Sequence, residues 1–196
     1  MADVAQAVAA LRSGEPVVLP TDTVYGLCAD ARSEAACRRA LALKGRPDQR
    51  PAALLCADVE TVLESVPELP EGIVRALLPG AVTLVFANPA CRYEWLGKTT
   101  VGVRVPVLTG VARDVVAQAG VVMATSANVH GGPDPRTLDD VPATIRSGCV
   151  AVVDGGELPG VPSTVIDLTG PDPVVLREGA VAARELLARI AAVRAL

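Results

Sequence analysis

The sequence predicts an α/β fold in which one mixed β-sheet is flanked by helices. Short apolar runs typical of strands alternate along the chain with stretches that have helical spacing. Hydrophobic residues make up 51% of the 196 residues, which is ample for a buried core. No repeat, low-complexity tract or long linker divides the chain. We therefore predict a single domain over residues 1–196.

Residue patterns predict the elements of the first half of the chain. Helical spacing near the N-terminus stops at Gly14, Ser33 is suited to cap a helix, and short apolar runs bounded by Gly and Pro indicate buried strands. The predicted elements are a helix at 4–11, a strand at 16–19, a helix from 33 to 43, a strand at 52–56, two short helices between 57 and 80, and a strand at 82–86.

Residues 99–106 alternate with the period of a strand. Val101, Val103 and Val105 face one side, and Thr100, Gly102 and Arg104 face the other. The other elements predicted after residue 86 are strands at 121–124, 150–153, 163–168 and 174–176 and an amphipathic helix at 180–190.

Thr137 and Asp140 have the spacing of a capping box. They predict a helix running toward residue 145. In that helix Asp139 and Asp140 would lie in the first turn and complement the helix dipole.

The composition limits the function. Eighteen Lys and Arg against 22 Asp and Glu give a net charge of −4, so the chain lacks an overall basic coat for nucleic acid, although a local basic patch is compatible with it. Aromatic residues make up 2%, which counts against base stacking on single strands. The core must therefore be built from Ala, Val and Leu.

Targeting and redox features predict a soluble, cytoplasmic protein that does not enter a membrane. No apolar run approaches the roughly 18 residues of a membrane span, and the N-terminus lacks the features of a signal peptide. The five cysteines include no Cys-x-x-Cys pair, so we expect reduced thiols. His130 is the single histidine, which excludes zinc sites built on two histidines.

Polar clusters interrupt the apolar sequence at four places, and the first two lie in its N-terminal part. The hydroxyls of residues 20–27 follow a strand, where they could bind a small polar ligand or merely close a turn. Lys44, Arg46 and Arg50 follow a helix and would suit a triphosphate. The alternative is that these cations complement the C-terminal end of the helix dipole.

The third and fourth clusters lie in the C-terminal half. Residues 125–128 end an apolar run and precede Gly131 and Gly132, which favours contacts to phosphates or ribose, or else a simple turn. Ser163 and Arg177 begin and end consecutive strands, so we expect them to lie close together, either as ligand-binding groups or as caps of a hairpin.

Common phosphate-binding and covalent mechanisms find little support. The sequence contains no P-loop, no Gly-x-Gly-x-x-Gly fingerprint and no Gly-x-Ser-x-Gly elbow. A nucleophile pair of Cys28 or Cys56 with His130 has no support from the spacing.

Together these clusters resemble the YrdC/YciO family, whose TsaC-like members are threonylcarbamoyl-AMP synthases of tRNA modification. The resemblance extends from about residue 14 to residue 180. It rests on PTDTVYGL at 20–27, KGRP at 44–47, PGAVTLV at 79–85, TVGVRVP at 100–106, TSAN at 125–128, STVIDL at 163–168 and LREGA at 176–180.

The resemblance implies a twisted sheet with a concave cleft and a nucleotidyltransferase activity. The enzyme would form threonylcarbamoyl-adenylate from L-threonine, bicarbonate and ATP, release pyrophosphate, and supply the t6A modification of tRNA. Implied partners are tRNA and the downstream threonylcarbamoyl-transferase components. Mg²⁺ is expected to accompany ATP, with no resident metal site on the protein.

By position, the resemblance also assigns roles to individual residues. Threonine would contact Thr23, Arg104 and Ser163. ATP would contact Lys44, Arg46, Arg50, Thr100, Ser126, Asn128 and Arg177. Lys44 and Arg46 would be the catalytic residues, because they neutralise phosphate charge. We expect both on an exposed loop, so that replacing either one by alanine abolishes activity and leaves the fold intact.

Four positions depart from the family pattern and keep two alternatives open. Leu55 stands where a polar residue is usual, His130 replaces a serine, Asp134 replaces a small hydroxyl residue, and Leu78 replaces an aromatic residue. These changes are compatible with a YciO-like or carbamoylation-related paralogue that uses ATP with a different acceptor. The second alternative is a non-catalytic module that binds RNA on a concave face.

Overall fold

The computed structural model of the chain describes residues 2–45 and 52–195, in which helices pack against both faces of one large sheet. The strands are β1 Val17–Pro20, β2 Tyr25–Asp30, β3 Ala53–Leu55, β4 Val82–Ala87, β5 Thr100–Arg104, β6 Val122–Ser126, β7 Ala151–Val152, β8 Thr164–Asp167 and β9 Val174–Arg177. The helices are α1 Val4–Arg12, α2 Glu34–Leu43, α3 Val59–Ser65, α4 Glu71–Leu77, α5 Glu94–Gly97, α6 Gly110–Ala119, α7 Ala143–Ser147 and α8 Ala183–Arg194.

The sheet is mixed, as the sequence predicts. Its strand order is β7-β1-β2-β6-β3-β5-β4-β8-β9. The pairs β1–β7, β3–β5 and β4–β8 are parallel, and the other neighbouring pairs are antiparallel. Strands β3 and β5 thus lie near the middle of the sheet, where both of their faces are available for packing or for a site.

One face of the sheet carries the larger core. Buried residues of α2, α3, α4 and α8 form a single cluster with Leu54, Val103, Met123 and Ile166 of the central strands. The alternation predicted for residues 99–106 is confirmed, because Val101, Val103 and Val105 all belong to this core. Gly102 and Arg104 line the opposite face.

A smaller core covers only part of that opposite face. Helices α1 and α6 pack against each other and share a cluster with Val17, Leu19 and Val122. Asp3 caps the N-terminus of α1 by accepting a hydrogen bond from the Gln6 backbone N–H at 2.8 Å. Beyond these two helices, toward β4 and β8, the same face is open and forms a cleft.

Some local elements differ from the prediction. Strand β2, helix α5 and helix α6 were not predicted, although Ala112, Val115, Val116 and Ala119 of α6 have the helical spacing that marks a buried face. Strand β2 contains Gly26 and ends at Asp30, which weakens its pattern, but backbone pairing with β1 and β6 on its two sides holds it extended.

The helix predicted toward residue 145 is present as α7, but its predicted start at Thr137 is wrong. Thr137 and Asp140 do form reciprocal hydrogen bonds: the Thr137 backbone N–H donates to Asp140 Oδ2 at 2.8 Å, and the Asp140 N–H donates to Thr137 Oγ1 at 3.3 Å. These bonds close a turn, and α7 begins only after Pro142. Asp139 and Asp140 therefore precede the helix and do not occupy its first turn.

Within the described ranges, none of the helices has both the length and the apolar character needed to cross a membrane.

The loop after β9 packs closely at Gly179 against the backbone around Ser163. A Cβ atom at Gly179 would lie 2.6 Å from the carbonyl carbon of Ser163, inside van der Waals contact with backbone. Gly179→Ala is therefore expected to lower the free energy of unfolding by about 1–3 kcal/mol, measured by urea denaturation. The control is Gly170→Ala, where the nearest atom would lie 4.0 Å away. Its expected change is below about 0.5 kcal/mol, and equal losses in the two variants would contradict the prediction.

Candidate functional site

The cleft on the open part of the sheet has a volume of about 530 Å³. The strands leave room for this cavity because the residues that face it along its base are small. They are Gly26, Ala53, Gly102 and Ala124. The large residues next to them in sequence, such as Leu27, Leu54 and Met123, point to the other face and fill the core. A cavity of this size, with apolar walls and few polar groups, is typical of a small-molecule site.

The polar clusters predicted from the sequence converge on this cleft. Cluster members that line it are Thr21, Thr23, Lys44, Ser126, Asn128, Ser163 and Arg177, together with Arg104 from β5. They come from strand ends and helix ends widely separated in the chain. The turn and cap alternatives therefore describe their local bonding, whereas the fold places them around one cavity.

Lys44 is buried at the C-terminal end of α2, with 4% of the residue exposed. Its Nζ donates hydrogen bonds to Asn128 Oδ1 at 2.9 Å and to the backbone carbonyl of Ser126. The expectation that Lys44 lies on an exposed loop is wrong. The protein tolerates this buried cation because oxygen acceptors of the loop after β6 surround it.

The loop after β6 is held by the same network. Ser126 Oγ donates to Asn128 Oδ1 at 2.7 Å, and Asn128 Nδ2 donates to the Gly132 carbonyl at 2.6 Å. The backbone N–H of His130 donates to the carbonyl of Lys44 at 3.1 Å. The end of α2 and the loop after β6 are therefore joined through both backbone and side chains, so that Lys44 and Asn128 occupy one corner of the cleft.

Arg104 lies at the end of β5, and 11% of its side chain is exposed. Its Nη2 donates to Thr23 Oγ1 at 2.8 Å and forms an ion pair with Asp22. Burial lowers the pKa of Arg104, because a low-dielectric environment disfavours the charged form, and the nearby Asp22 carboxylate opposes this effect. Among the described residues, Arg104 Nε is buried without a hydrogen-bond partner.

Ser163 and Arg177 lie side by side, which confirms the predicted proximity. Arg177 Nη2 donates to Ser163 Oγ at 3.2 Å, and Arg177 Nε donates to the Ser163 carbonyl at 3.0 Å. Ser163 Oγ and Thr83 Oγ1 are 2.8 Å apart and share a hydrogen bond. This group closes the side of the cleft formed by β4, β8 and β9.

Three of the predicted ATP contacts are not among the described residues that line the cleft. Arg46 and Arg50 lie outside the described residues, so their assignment stays a prediction. Thr100 is at the far end of β5 from Arg104, where its hydroxyl donates to the carbonyl of Gly97 at 3.2 Å. It is not among the described residues that line the cleft, and its role toward ATP also stays a prediction.

The sequence patterns did not assign Thr83, which lines the cleft, or Asp22, which pairs with the cleft residue Arg104. Strand alternation could have found Thr83, since its neighbours Val82 and Leu84 are buried in the core and it must face the cleft. Asp22 gave no such signal. Its partner Arg104 is 82 positions away in the chain, and only the tertiary structure brings the two together.

The positions that depart from the family pattern divide into two groups. Leu55, His130 and Asp134 all line the cleft. Leu55 is 1% exposed and also packs into the smaller core under α1 and α6, whereas His130 is exposed at the rim. Leu78 is buried in the larger core and is therefore a packing residue.

The thiols are not arranged for covalent catalysis. Cys28 and Cys56 are buried and do not line the cleft. Burial raises the pKa of each thiol to about 12, so both remain neutral at physiological pH. The pairing of either cysteine with His130, already unsupported by the spacing, is contradicted by this placement.

The cleft is thus suited to a polar, anionic small molecule. Lys44, Arg104 and Arg177 bring positive charge to different parts of the wall, and hydroxyl and amide groups lie between them. In the described part of the chain, no group of three or more His, Cys, Asp or Glu side chains could hold a metal ion. Fold and site together define an α/β protein with a cleft suited to an anionic ligand on the open face of its sheet.

The chain belongs to the Sua5/YciO/YrdC family. The family model Sua5_yciO_yrdC, described as telomere recombination, matches residues 9–179. A relative from Mycobacterium leprae is 37% identical over 97% of this chain and 87% of its own length. The threonylcarbamoyl-AMP synthase of Pyrococcus abyssi is 35% identical over 90% of this chain and 54% of its own length.

Solved structures agree with this assignment and confirm the predicted fold class. The structure of P. abyssi Sua5 complexed with L-threonine has a TM-score of 0.87 and 34% sequence identity, covering 95% of this chain and 57% of that chain. The present chain thus spans little more than half of that longer protein. Escherichia coli YciO has a TM-score of 0.79 and 26% identity, covering 94% of this chain and 92% of that chain.

The burial of Lys44 changes what its removal should do. Lys44→Ala leaves Asn128 and Ser126 without a buried donor and opens a cavity, so we expect the free energy of unfolding to fall by about 1–3 kcal/mol. Urea denaturation measures this loss. The control is Arg39→Ala on the same helix, where a surface ion pair between a half-exposed arginine and Glu15 contributes about 0.5 kcal/mol. If the two variants were equally stable, the contacts of Lys44 would contribute nothing to the fold.

Proposed function

We propose that this chain is a threonylcarbamoyl-AMP synthase, which forms threonylcarbamoyl-adenylate from L-threonine, bicarbonate and ATP and releases pyrophosphate. The observation that carries the proposal is the cleft itself, where cations and hydroxyls from four sequence motifs surround one cavity. The likeness to a Sua5 structure complexed with L-threonine supports the amino acid as one substrate. The names of the relatives support an adenylate as the product.

The amino-acid end of the cleft is assigned to Arg104, Thr23 and Ser163. Arg104 supplies a buried positive charge suited to the carboxylate of threonine or of its carbamate. The hydroxyls of Thr23 and Ser163 already take part in hydrogen bonds with Arg104 and Arg177, so their oxygens are held in place. A charged ligand entering here would meet donors whose orientation is set before it binds.

The nucleotide end is assigned to Lys44, Ser126, Asn128 and Arg177. Lys44 and Arg177 offset phosphate charge, and the side chains of Ser126 and Asn128 are ordered by their hydrogen bonds with each other. Arg46, Arg50 and Thr100 complete the predicted set. Arg46 shares with Lys44 the role of neutralising charge on the phosphates.

The chemistry needs no covalent intermediate with the protein. The amine of threonine combines with bicarbonate to give a carbamate and water. A carbamate oxygen then attacks the α-phosphorus of ATP, the bond to the β-phosphate breaks, and pyrophosphate leaves with its electron pair. The protein contributes by placing the two reactants together and by stabilising negative charge. Neutral buried thiols and the absence of a nucleophile motif agree with such a mechanism.

Mg²⁺ is proposed to enter with ATP. The described residues offer no cluster able to hold a metal alone, and Mg²⁺ is commonly held by substrate phosphates with one or two carboxylates. Asp134 fits this need, because it places a carboxylate on the lining of the cleft. When bound, the ion would offset phosphate charge and lessen repulsion between Asp134 and the nucleotide.

The proposal includes the biological setting of the product. The adenylate would pass to threonylcarbamoyl-transferase components that modify tRNA to t6A. A cytoplasmic location, where ATP and tRNA are available, is part of the same proposal. Direct contact with tRNA would have to use a local surface, since the chain has a net charge of −4.

The decisive experiment measures pyrophosphate release with ATP, Mg²⁺, bicarbonate and L-threonine, followed by mass spectrometry of the quenched mixture. We expect threonylcarbamoyl-AMP to form only when L-threonine and bicarbonate are both present. Reactions with L-serine and without an amino acid are the controls. The missing methyl group should cost serine about tenfold in kcat/KM, the magnitude expected for one methyl group in a pocket.

The outcomes separate the three candidate functions. Threonine-dependent adenylate establishes the synthase. Nucleotide binding without that product favours a paralogue with another acceptor. Salt-dependent binding of tRNA without nucleotide binding favours the non-catalytic RNA-binding module.

A YciO-like paralogue is the second candidate, and specific observations favour it. Three cleft positions, Leu55, His130 and Asp134, differ from the usual family residues. These residues alter the polarity of the cavity in which the acceptor would bind.

Leu55 offers a direct probe of this alternative. In a threonine-binding cleft, Leu55→His restores a polar group and is expected to lower the KM for L-threonine about three- to tenfold, because one added hydrogen bond has that magnitude. The KM for ATP should not change. Leu55→Met, which preserves apolar character and volume, is the control and should leave both constants unchanged. An unchanged KM in Leu55→His would show that position 55 does not contact threonine, and would remove one reason to favour the paralogue.

A further inference from the structure

The turn between β1 and β2 holds Asp22 in a defined position. Thr21 Oγ1 donates to the Val24 carbonyl at 2.7 Å and accepts hydrogen bonds from the backbone N–H groups of Thr23 at 3.2 Å and Val24 at 3.3 Å. These local bonds close the turn around residue 22. The Asp22 side chain is 12% exposed, so it is also enclosed by its surroundings.

Both oxygens of the Asp22 carboxylate accept from separate donors. Oδ1 pairs with Nη2 of Arg104, and Oδ2 accepts from the backbone N–H of Val107 at 3.1 Å. Asp22 therefore connects the β1–β2 turn to the segment that follows β5. A side chain with a single acceptor oxygen could satisfy one of these donors but not both.

The guanidinium of Arg104 is held on one side only. Its Nη2 is engaged by Asp22 and by Thr23 Oγ1 at 2.8 Å. Its Nε is buried and has no partner among the described residues. Asp22 and Thr23 therefore fix the orientation of the guanidinium through Nη2.

We infer that Asp22 is a positioning residue for substrate recognition: it holds the Arg104 guanidinium in the orientation in which Arg104 receives the carboxylate of the amino-acid substrate. The inference rests on the proposed function and adds to it a residue that acts through Arg104. Asp22 need not touch the substrate. Its effect is to order a buried guanidinium before the carboxylate arrives.

Two physical effects of Asp22 oppose each other. Its negative charge weakens the attraction of Arg104 for another carboxylate, whereas its two hydrogen bonds orient the guanidinium. The orienting effect is the larger one in this site, because hydrogen bonds between an arginine and a carboxylate depend strongly on direction. Arg104 is also largely enclosed. Loss of Asp22 is therefore expected to weaken carboxylate binding even though the local positive charge rises.

The test compares L-threonine with L-threoninamide, which lacks the carboxylate charge. Isothermal titration calorimetry would measure the affinity of each ligand for the wild type and for Asp22→Asn. In Asp22→Asn, the amide NH₂ must face either Arg104 or the N–H of Val107, which disturbs one of the two contacts. We expect the affinity for L-threonine to fall about tenfold, the affinity for L-threoninamide to stay within about twofold, and ATP binding to be unchanged.

Asp30→Asn is the matched control. Asp30 also accepts hydrogen bonds from a backbone N–H and an arginine, here both from Arg32 at 3.0 Å and 2.8 Å, and 16% of its side chain is exposed. It does not line the cleft. Its replacement should leave the affinities for L-threonine and L-threoninamide at their wild-type values.

A double-mutant cycle shows whether Asp22 acts through Arg104. In the Arg104→Gln background, Asp22→Asn is expected to cause no further loss of L-threonine affinity. Melting temperatures of every variant would be recorded. In steady state, Asp22→Asn should raise the KM for L-threonine about tenfold while kcat stays within about threefold, which a general structural defect would not produce.

Several results would overturn the inference. They are an affinity of Asp22→Asn for L-threonine within twofold of wild type, an increase in that affinity, an equal loss for L-threonine, L-threoninamide and ATP, or a full further loss in the Arg104→Gln background. Failure of the wild type to bind L-threonine would instead overturn the proposed function, and this inference with it. The two failures are therefore distinguishable.

A measurement on the unaltered chain does not depend on the folding of any variant. In ¹⁵N-labelled wild-type protein, the Arg104 Nε–H resonance is expected to shift when L-threonine binds. Assignment would use its disappearance in Arg104→Gln. A resonance that does not respond to saturating L-threonine would show that the guanidinium of Arg104 does not receive the carboxylate, and would overturn the inference.

Discussion

The core and the cleft both depend on the alternation of side chains along the central strands. One face of the sheet is covered by helices, and the other face is covered only in part. Residues such as Leu54, Val103 and Met123 fill the larger core, so their sequence neighbours must face the other way. Where α1 and α6 cover that second face, the neighbours are apolar and packed. Where no helix covers it, many of them are small or carry hydroxyl groups, and the cleft forms above them. Core and site are thus two consequences of the same strand geometry.

The charges in the cleft are held by neighbouring polar groups. Lys44 is bonded to Asn128, Arg104 to Asp22 and Thr23, and Arg177 to Ser163. Each cation is therefore held in place by protein groups, and at Arg104 one of these groups is a carboxylate. Preorganised charge of this kind suits a reaction in which a carbamate and a triphosphate must be brought together despite their repulsion. It also accounts for a site that requires no reactive thiol or serine.

Leu55 illustrates how structural and functional roles meet at one position. Its side chain belongs to the smaller core with α1 and α6, yet it also borders the cleft. A change there alters packing and ligand environment together. His130 and Asp134 lie on the loop after β6, and His130 is joined through its backbone to the end of α2, so they can vary without disturbing either core. Changes at these two positions would therefore alter the walls of the cleft more than either core.

The sequence by itself determined the α/β class, the mixed sheet, the facing of β5 and the polar segments that meet in the cleft. These features follow from local patterns: strand and helix periods, caps, and hydroxyls or cations next to strand ends. Only the tertiary structure decided that Lys44 is buried, that Asp22 pairs with Arg104 across 82 positions, and that the turn at Thr137 does not continue into a helix. Burial and pairing of this kind depend on which distant segments come together. A local sequence pattern does not predict those long-range contacts.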